Sequence, residues 1–147
     1  MCVNDAEENL TSSNNKMRIF ILEDDHMRIH WFTEKFKMHK LTIATNAADA
    51  IKILSSHEFS FIMLDHDLGG KVFVDSEDEN TGYQVAKALI TTANAKKPVI
   101  IHSWNVPAAK RMQYVIGETS LTFPFGSFDK SILEKALGIL RARKVIK

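Results

Sequence analysis

Cysteine is almost missing from this chain. The single thiol, Cys2, has no partner, which excludes an internal disulfide framework and a cysteine-based zinc site. That usage fits a reducing compartment. Charge of one sign is missing too. Nineteen basic residues stand against 18 acidic ones, a net charge of +1, so no whole-molecule field argues for a DNA duplex or a membrane surface. No apolar run approaches the roughly 18 residues that a transmembrane helix needs. The first 16 residues lack both the basic start and the apolar middle of a signal peptide. Internal repeats are absent. The expectation is a soluble, cytoplasmic protein.

What is present is ordinary globular material: 147 residues, 45% hydrophobic and 25% charged. That length suits one domain, able to bury roughly 68–70% of its unfolded surface without a staple. Residues 1–16, rich in Asn, Ser, Glu and Asp, read as a disordered tail. The folded domain is expected over residues 17–147.

The organising stretch is Phe61-Ile62-Met63-Leu64-Asp65-His66-Asp67-Leu68-Gly69-Gly70. Its four leading apolar residues predict a strand buried on both faces, as in a parallel sheet. Two carboxylates and an imidazole then end it, and such groups are costly to bury unless paired or bound to a cation. In open α/β sheets the carboxyl edge is where ligands bind. Asp65, His66 and Asp67 are therefore the predicted centre of a functional site. The competing reading is a strand that runs out into a polar loop.

Upstream, residues 17–22 form a short apolar strand ending in Glu23-Asp24-Asp25. Three adjacent like charges repel, and a divalent cation is the usual means of holding them together. Asp25 also suits the N-cap of the next helix, leaving Glu23 and Asp24 to the site. Ile29, Phe32 and Phe36 predict an amphipathic helix from His26 to about Met38. His26 and His30 share a face of it, but no third ligand accompanies them for a metal. A second strand spans 41–45, and Thr45 or Asn46 caps a helix through Ala47, Ala50, Ile51 and Leu54.

Beyond the organising strand, residues 71–80 read as an acidic, mobile, solvated loop, with a lid over the site as the other possibility. Thr81-Gly82 opens a helix with Val85, Leu89 and Ala86 or Ile90 inward. Val99-Ile100-Ile101 is another apolar strand, ending in His102-Ser103-Trp104-Asn105. Asn105 caps a helix that tolerates Pro107 in its first turn and stops near Gly117. A fifth strand at 121–123 precedes Pro124, and Ser127 or Asp129 starts a last helix with Ile132, Leu133, Ala136, Leu137 and Leu140 on its buried stripe. The alternation of strand and helix predicts an α/β fold with a five-stranded parallel, doubly wound sheet.

In such a sheet the carboxyl ends of strands one, three and four point the same way. They bring together Glu23, Asp24 and Asp25, then Asp65, His66 and Asp67, then His102, Ser103 and Asn105. Strands are roughly 4.8 Å apart, so these groups can converge on one ion or one phosphate. Hard carboxylate oxygens suit Mg²⁺, or Mn²⁺, better than a soft metal.

The strand ending Glu23-Asp24-Asp25, the Leu64-Asp65 strand end, the Thr81-Gly82-Tyr83 helix start and the strand Pro98-Val99-Ile100-Ile101-His102-Ser103 resemble a two-component receiver domain. The resemblance covers about Met17 to Leu140 and implies a flavodoxin-like architecture. It implies Glu23 and Asp24 as the acidic metal-binding pair and Asp65 as the phosphoacceptor-like aspartate. Asp67 would lend its backbone carbonyl to the metal, and Ser103 would match the switch hydroxyl on the phosphoryl group. Receivers carry a Lys before the Pro at the end of strand five. Here Phe123 precedes Pro124, and Lys130 is too far along to replace it. The motifs Leu64-Asp65-His66-Asp67-Leu68-Gly69 and His102-Ser103-x-Asn105 are most similar to a divergent subgroup, the cyclic-phosphate-processing receiver domain. That resemblance implies a phosphoesterase acting on a cyclic phosphate.

On this expectation Asp65, His66 and His102 are catalytic, Ser103 and Asn105 bind phosphate, and Glu23, Asp24, Asp65 and Asp67 hold the metal. A divalent ion would neutralise phosphoryl charge and activate water. An imidazole would act as acid or base near neutral pH. Covalent attack by Asp65 is the other route. The expected partner is a phosphate-bearing small molecule or an RNA end. The alternatives are a phosphoryl-sensing or binding receiver without turnover and, behind it, a TOPRIM-like nuclease using Glu23 and Asp65-His66-Asp67.

Overall fold

The computed structural model describes residues 16–129 and 131–147. Apart from Lys16, the tail read over residues 1–16 lies outside them, as do Cys2 and Lys130. Five strands, β1 (Arg18–Leu22), β2 (Lys40–Ala44), β3 (Phe61–Leu64), β4 (Val99–Ile101) and β5 (Ser120–Thr122), form one sheet in the order β2-β1-β3-β4-β5. Every pairing is parallel. Five helices alternate with them: α1 (His26–Lys35), α2 (Ala47–Ser56), α3 (Gly82–Leu89), α4 (Val106–Ile116) and α5 (Ile132–Ala142).

The sheet separates two cores. Phe20, Leu22, Ile62, Leu64, Val99 and Ile101 face α2, α3 and α4. Ile19, Ile21, Phe61, Met63, Ile100 and Leu121 face α1 and α5. Period-two alternation along the strands produces this division, and a sheet covered on both faces requires it. Four of the five helix starts have a side-chain cap, and α5 has none. Asp25 Oδ1 accepts from the N–H groups of Met27 (2.9 Å) and Arg28 (3.0 Å), while Asn46, Thr81 and Asn105 cap α2, α3 and α4. Gly117, at φ 94°, ends α4 in a conformation few other residues adopt.

Some boundaries differ from the sequence expectation. Ile90 closes α3 on its exposed side, so Ala86 is the inward residue. The last helix starts at Ile132, because Pro124 leads into a short 3₁₀ turn, Phe125–Ser127. Asp129 then binds Ser131 and Lys135 from outside the helix.

No helix among the described residues is long and apolar enough to cross a membrane.

Candidate active site

Strand parity assembles the site. Ile21, Met63 and Ile100 lie side by side in register on the α1/α5 face. Two residues further along each chain stand Glu23, Asp65 and His102, so the same alternation sends them to that face. The ladder continues past the strand ends to hold them. Asp65 N–H donates to Leu22 O at 3.1 Å and His102 N–H to Leu64 O at 3.0 Å. One ligand atom from each of the three lies within 4.8 Å of the others, and all three residues are buried. Among the described residues this is the group of acids and imidazoles with metal-ligand proximity; His26 and His30 do not join it.

Contacts differentiate the two acids. Glu23 Oε1 lies 3.1 Å from His102 Nε2, and Oε2 accepts from the N–H groups of Asp24 (3.1 Å) and Asp25 (3.2 Å). Burial alone would raise this carboxyl; the bond and charge of His102, with the backbone and Arg28, bring it below the ordinary range. Asp65 Oδ1 accepts from His66 N–H at 2.8 Å. Burial, reinforced by the Glu23 charge, outweighs the opposing charges of His102 and Arg28 as well as that bond, and pushes Asp65 up to about 7. Perturbed carboxyls of this kind cluster at functional sites.

His66 and Asp67 build the wall. His66, of opposite parity to Asp65, is fully buried, with Nδ1 2.8 Å from Asp67 Oδ1 and Nε2 3.1 Å from Ser76 Oγ. Asp67 also accepts from Asn105 Nδ2 (3.1 Å), Phe73 N–H (2.6 Å) and Val74 N–H (3.1 Å). Burial raises its carboxyl, but these four bonds, led by His66, more than offset it and leave it lowered. The 71–80 segment keeps most of its side chains in water, yet its backbone is not free. It is fastened through Asp67 and Ser76, and Asn80 Oδ1 accepts Ala47 N–H at the start of α2 (2.9 Å). Its first three residues line the cleft.

Gly82 makes the close packing possible. A Cβ there would meet Asp65 O at 1.9 Å, and Gly82 N–H donates to His66 O at 2.9 Å. Only glycine lets the α3 start sit against the β3 exit.

The resulting cleft, of about 370 Å³, is lined by the acids Glu23, Asp24, Asp25, Asp65 and Asp67 together with Arg28, Ser103, Trp104 and Asn105. Asp24 Oδ2 accepts from Gly70 N–H at 2.8 Å, and Gly70 holds φ 72°. Ser103 Oγ accepts from Asn105 N–H at 3.0 Å, leaving its own proton to donate. Asn105 Oδ1 caps α4 at Ala108 N–H, while its amide nitrogen bridges to Asp67 and Val74 O. Neither His66 nor His102 lines the cleft; each stands behind an acid that does.

One cleft residue went unnoticed in the sequence. Arg28 Nη1 lies 3.5 Å from Glu23 Oε1 and 3.9 Å from Asp65 Oδ2. Its guanidinium sits 4.7 Å from the Trp104 ring centre and 5.0 Å from that of Phe125. The available signal was its place three residues after the Asp25 cap, which keeps it in the first turn of α1 beside Glu23.

The model of the cyclic-phosphate processing receiver domain matches residues 17–118. The chain belongs to that family. No curated protein matches it. Among solved structures, the receiver domain of the sensor histidine kinase PA1611 from Pseudomonas aeruginosa PAO1, with a magnesium ion coordinated in its active-site cleft, is 15% identical. It superposes with a TM-score of 0.63 over 86% of this chain and 96% of that one. A CheY-like receiver domain from Methanospirillum hungatei JF-1 (14% identity, TM-score 0.64, 88% and 98% covered) is similar. So is the non-phosphorylated HemR receiver domain from Leptospira biflexa (17%, 0.63, 85% and 94%). These likenesses show the receiver fold, and the strand order 2-1-3-4-5 is the one the fold requires. The TOPRIM-like alternative gives way to it.

Proposed function

We propose that this receiver-family domain is a divalent-metal-dependent phosphoesterase that opens a cyclic phosphate. The observation that carries it is the convergence of Glu23 and Asp65 on one face of a cleft, with the Asp65 carboxyl pushed to about 7. Of these two buried carboxylates Asp65 lacks full compensation: Glu23 has His102 at 3.1 Å and two backbone N–H groups, whereas the guanidinium of Arg28 stays 3.9 Å from Asp65. A hard cation fits that deficit. Glu23 and Asp65 would hold it with Asp24 beside them; His102 supports Glu23 from behind, since a nitrogen donor suits Mg²⁺ poorly. Bound there, the ion would neutralise phosphoryl charge. The family description and the magnesium in the PA1611 receiver support the same reading.

In the reaction, water adds to phosphorus, one ring P–O bond breaks, and the water's proton ends on the leaving alkoxide. With the ion bound, Asp65 would stay ionised as its ligand, because a neighbouring cation favours the carboxylate, so the proton would pass to the alkoxide through water. Ser103 Oγ donates to a phosphoryl oxygen. Asn105 fixes the Ser103 loop, and His66 and His102 position Asp67 and Glu23 instead of meeting substrate.

The test is turnover of 2′,3′-cyclic and 3′,5′-cyclic nucleotides with Mg²⁺ or Mn²⁺. Activity in the wild type that disappears in Asp65→Asn supports the proposal. No turnover with any metal, together with phosphorylation of Asp65 by a small phosphodonor, returns the domain to the binding-module reading.

A further inference from the structure

A phosphate entering this cleft meets five carboxylates, Glu23, Asp24, Asp25, Asp65 and Asp67. Its binding needs cations, and the strand-five lysine of ordinary receivers is replaced by Phe123. Among the described lining residues Arg28 and Lys71 carry permanent positive charge. Lys71 is exposed on the loop. Arg28 is only 18% exposed and packs on two aromatic rings, one from each flank of the missing lysine's neighbourhood: Trp104 after β4 and Phe125 after β5. Its attachment to the acids is loose. A single nitrogen reaches both carboxylates, at 3.5 and 3.9 Å, and among the described residues its other donors make no hydrogen bond. A planar fork that is held in place yet has donors to spare is suited to bidentate phosphate recognition.

We propose that Arg28, delivered from α1, is the phosphoryl-binding cation of this cleft, and that it shares Glu23 and Asp65 with a divalent ion as a competitor. This rests on the reading above that the cleft takes a phosphate. When a divalent ion takes the two carboxylates, the guanidinium is released to the phosphate; when neither ligand is present, it partly neutralises the acids. The aromatic packing keeps it near the cleft in both states.

The two roles predict opposite effects from one substitution. In Arg28→Gln, inorganic phosphate binding measured by calorimetry with saturating Mg²⁺ weakens by about tenfold or more, as loss of a charge-assisted contact requires. In the same variant without phosphate, Mn²⁺ binding followed by its paramagnetic resonance signal tightens by roughly threefold or more, because a competing positive charge is gone. Arg28→Lys falls between wild type and Arg28→Gln for phosphate, and Lys71→Gln stays within about twofold of wild type. A merely structural role would weaken both ligands together. Equal phosphate affinity in wild type and Arg28→Gln, weakened Mn²⁺ binding in Arg28→Gln, a larger phosphate loss in Lys71→Gln, or no saturable phosphate binding by the wild type each overturns the proposal. Because no turnover is measured, phosphate binding that depends on Arg28 stands even if cyclic phosphates are not hydrolysed.

Discussion

Asp65 is where a single residue most changes the behaviour of the protein. The fold keeps it protonated up to about pH 7, whereas an ordinary aspartate ionises near 3.8. The native state therefore binds more protons than the unfolded chain between these values, and stability falls as pH rises across that window. The contribution is whole below pH 3.8 and is lost as pH passes about 7. Asp65→Asn lacks it. The stability of wild type relative to Asp65→Asn is expected to drop by on the order of a few kcal/mol between pH 4 and pH 8, by urea unfolding of both proteins at each pH. Gly82 gives a sharper structural expectation. A methyl group 1.9 Å from the Asp65 carbonyl forces α3 off β3, so Gly82→Ala should lose about 2–4 kcal/mol in the same assay. At this scale the sequence was legible for the acids and less so for the histidines. Asp65 and Glu23 ended apolar runs, and parity carried them to one face. His66 and His102 occupy the same motifs, but their rings point to acids and aromatic neighbours behind the cleft. Phe32 and Phe128 pack on His102 at 5.3 and 6.0 Å. Adjacency along a motif does not reveal which side of the wall a ring takes.

Between β3 and α3, the element that matters is the 71–80 segment. Its charges suggested solvation, and most of its side chains are indeed in water. Its backbone is another matter, because the contacts that hold it come from Asp67, Ser76 and Asn80, residues with nothing periodic to announce them. Asp67→Ala removes the acceptor for Phe73, Val74, His66 and Asn105 together. The amides of Phe73 and Val74 are then expected to exchange hydrogen at least about tenfold faster, with a stability loss of roughly 2 kcal/mol, by hydrogen-exchange mass spectrometry and urea unfolding. Unchanged exchange in that segment would show that Asp67 does not anchor it. Arg28 escaped the sequence for a related reason. A cation in the first turn of a helix looks like a solvated residue until the aromatic groups from two other loops are placed around it.

Across the whole molecule, alternating apolar strands and capped helices were enough to specify the doubly wound sheet, since every helix packs on a face the strand pattern leaves apolar. What the pattern cannot carry is the long-range contact set of the cleft, where Glu23 and His102 meet across 79 positions and Asp24 and Gly70 across 46. Such a cleft ties ligand occupancy to global stability. A divalent ion at about 100 times its dissociation constant adds ~2.7 kcal/mol. For a chain of this size that corresponds to a rise of about 5–10 °C in Tm. Thermal melts with Mg²⁺ and with a chelator should show that rise in wild type and almost none in Asp65→Asn. An equal rise in both would place the ion elsewhere.

The same-face positioning of Glu23, Asp65 and His102 also limits how this domain can diversify. One extra residue between Leu64 and Asp65 would leave β3 intact while turning its acid toward the opposite helices, and loss of one residue would bring an imidazole into the acid's place. Chemistry here can drift through replacement of side chains, whereas length changes at the strand exits extinguish it in a single event.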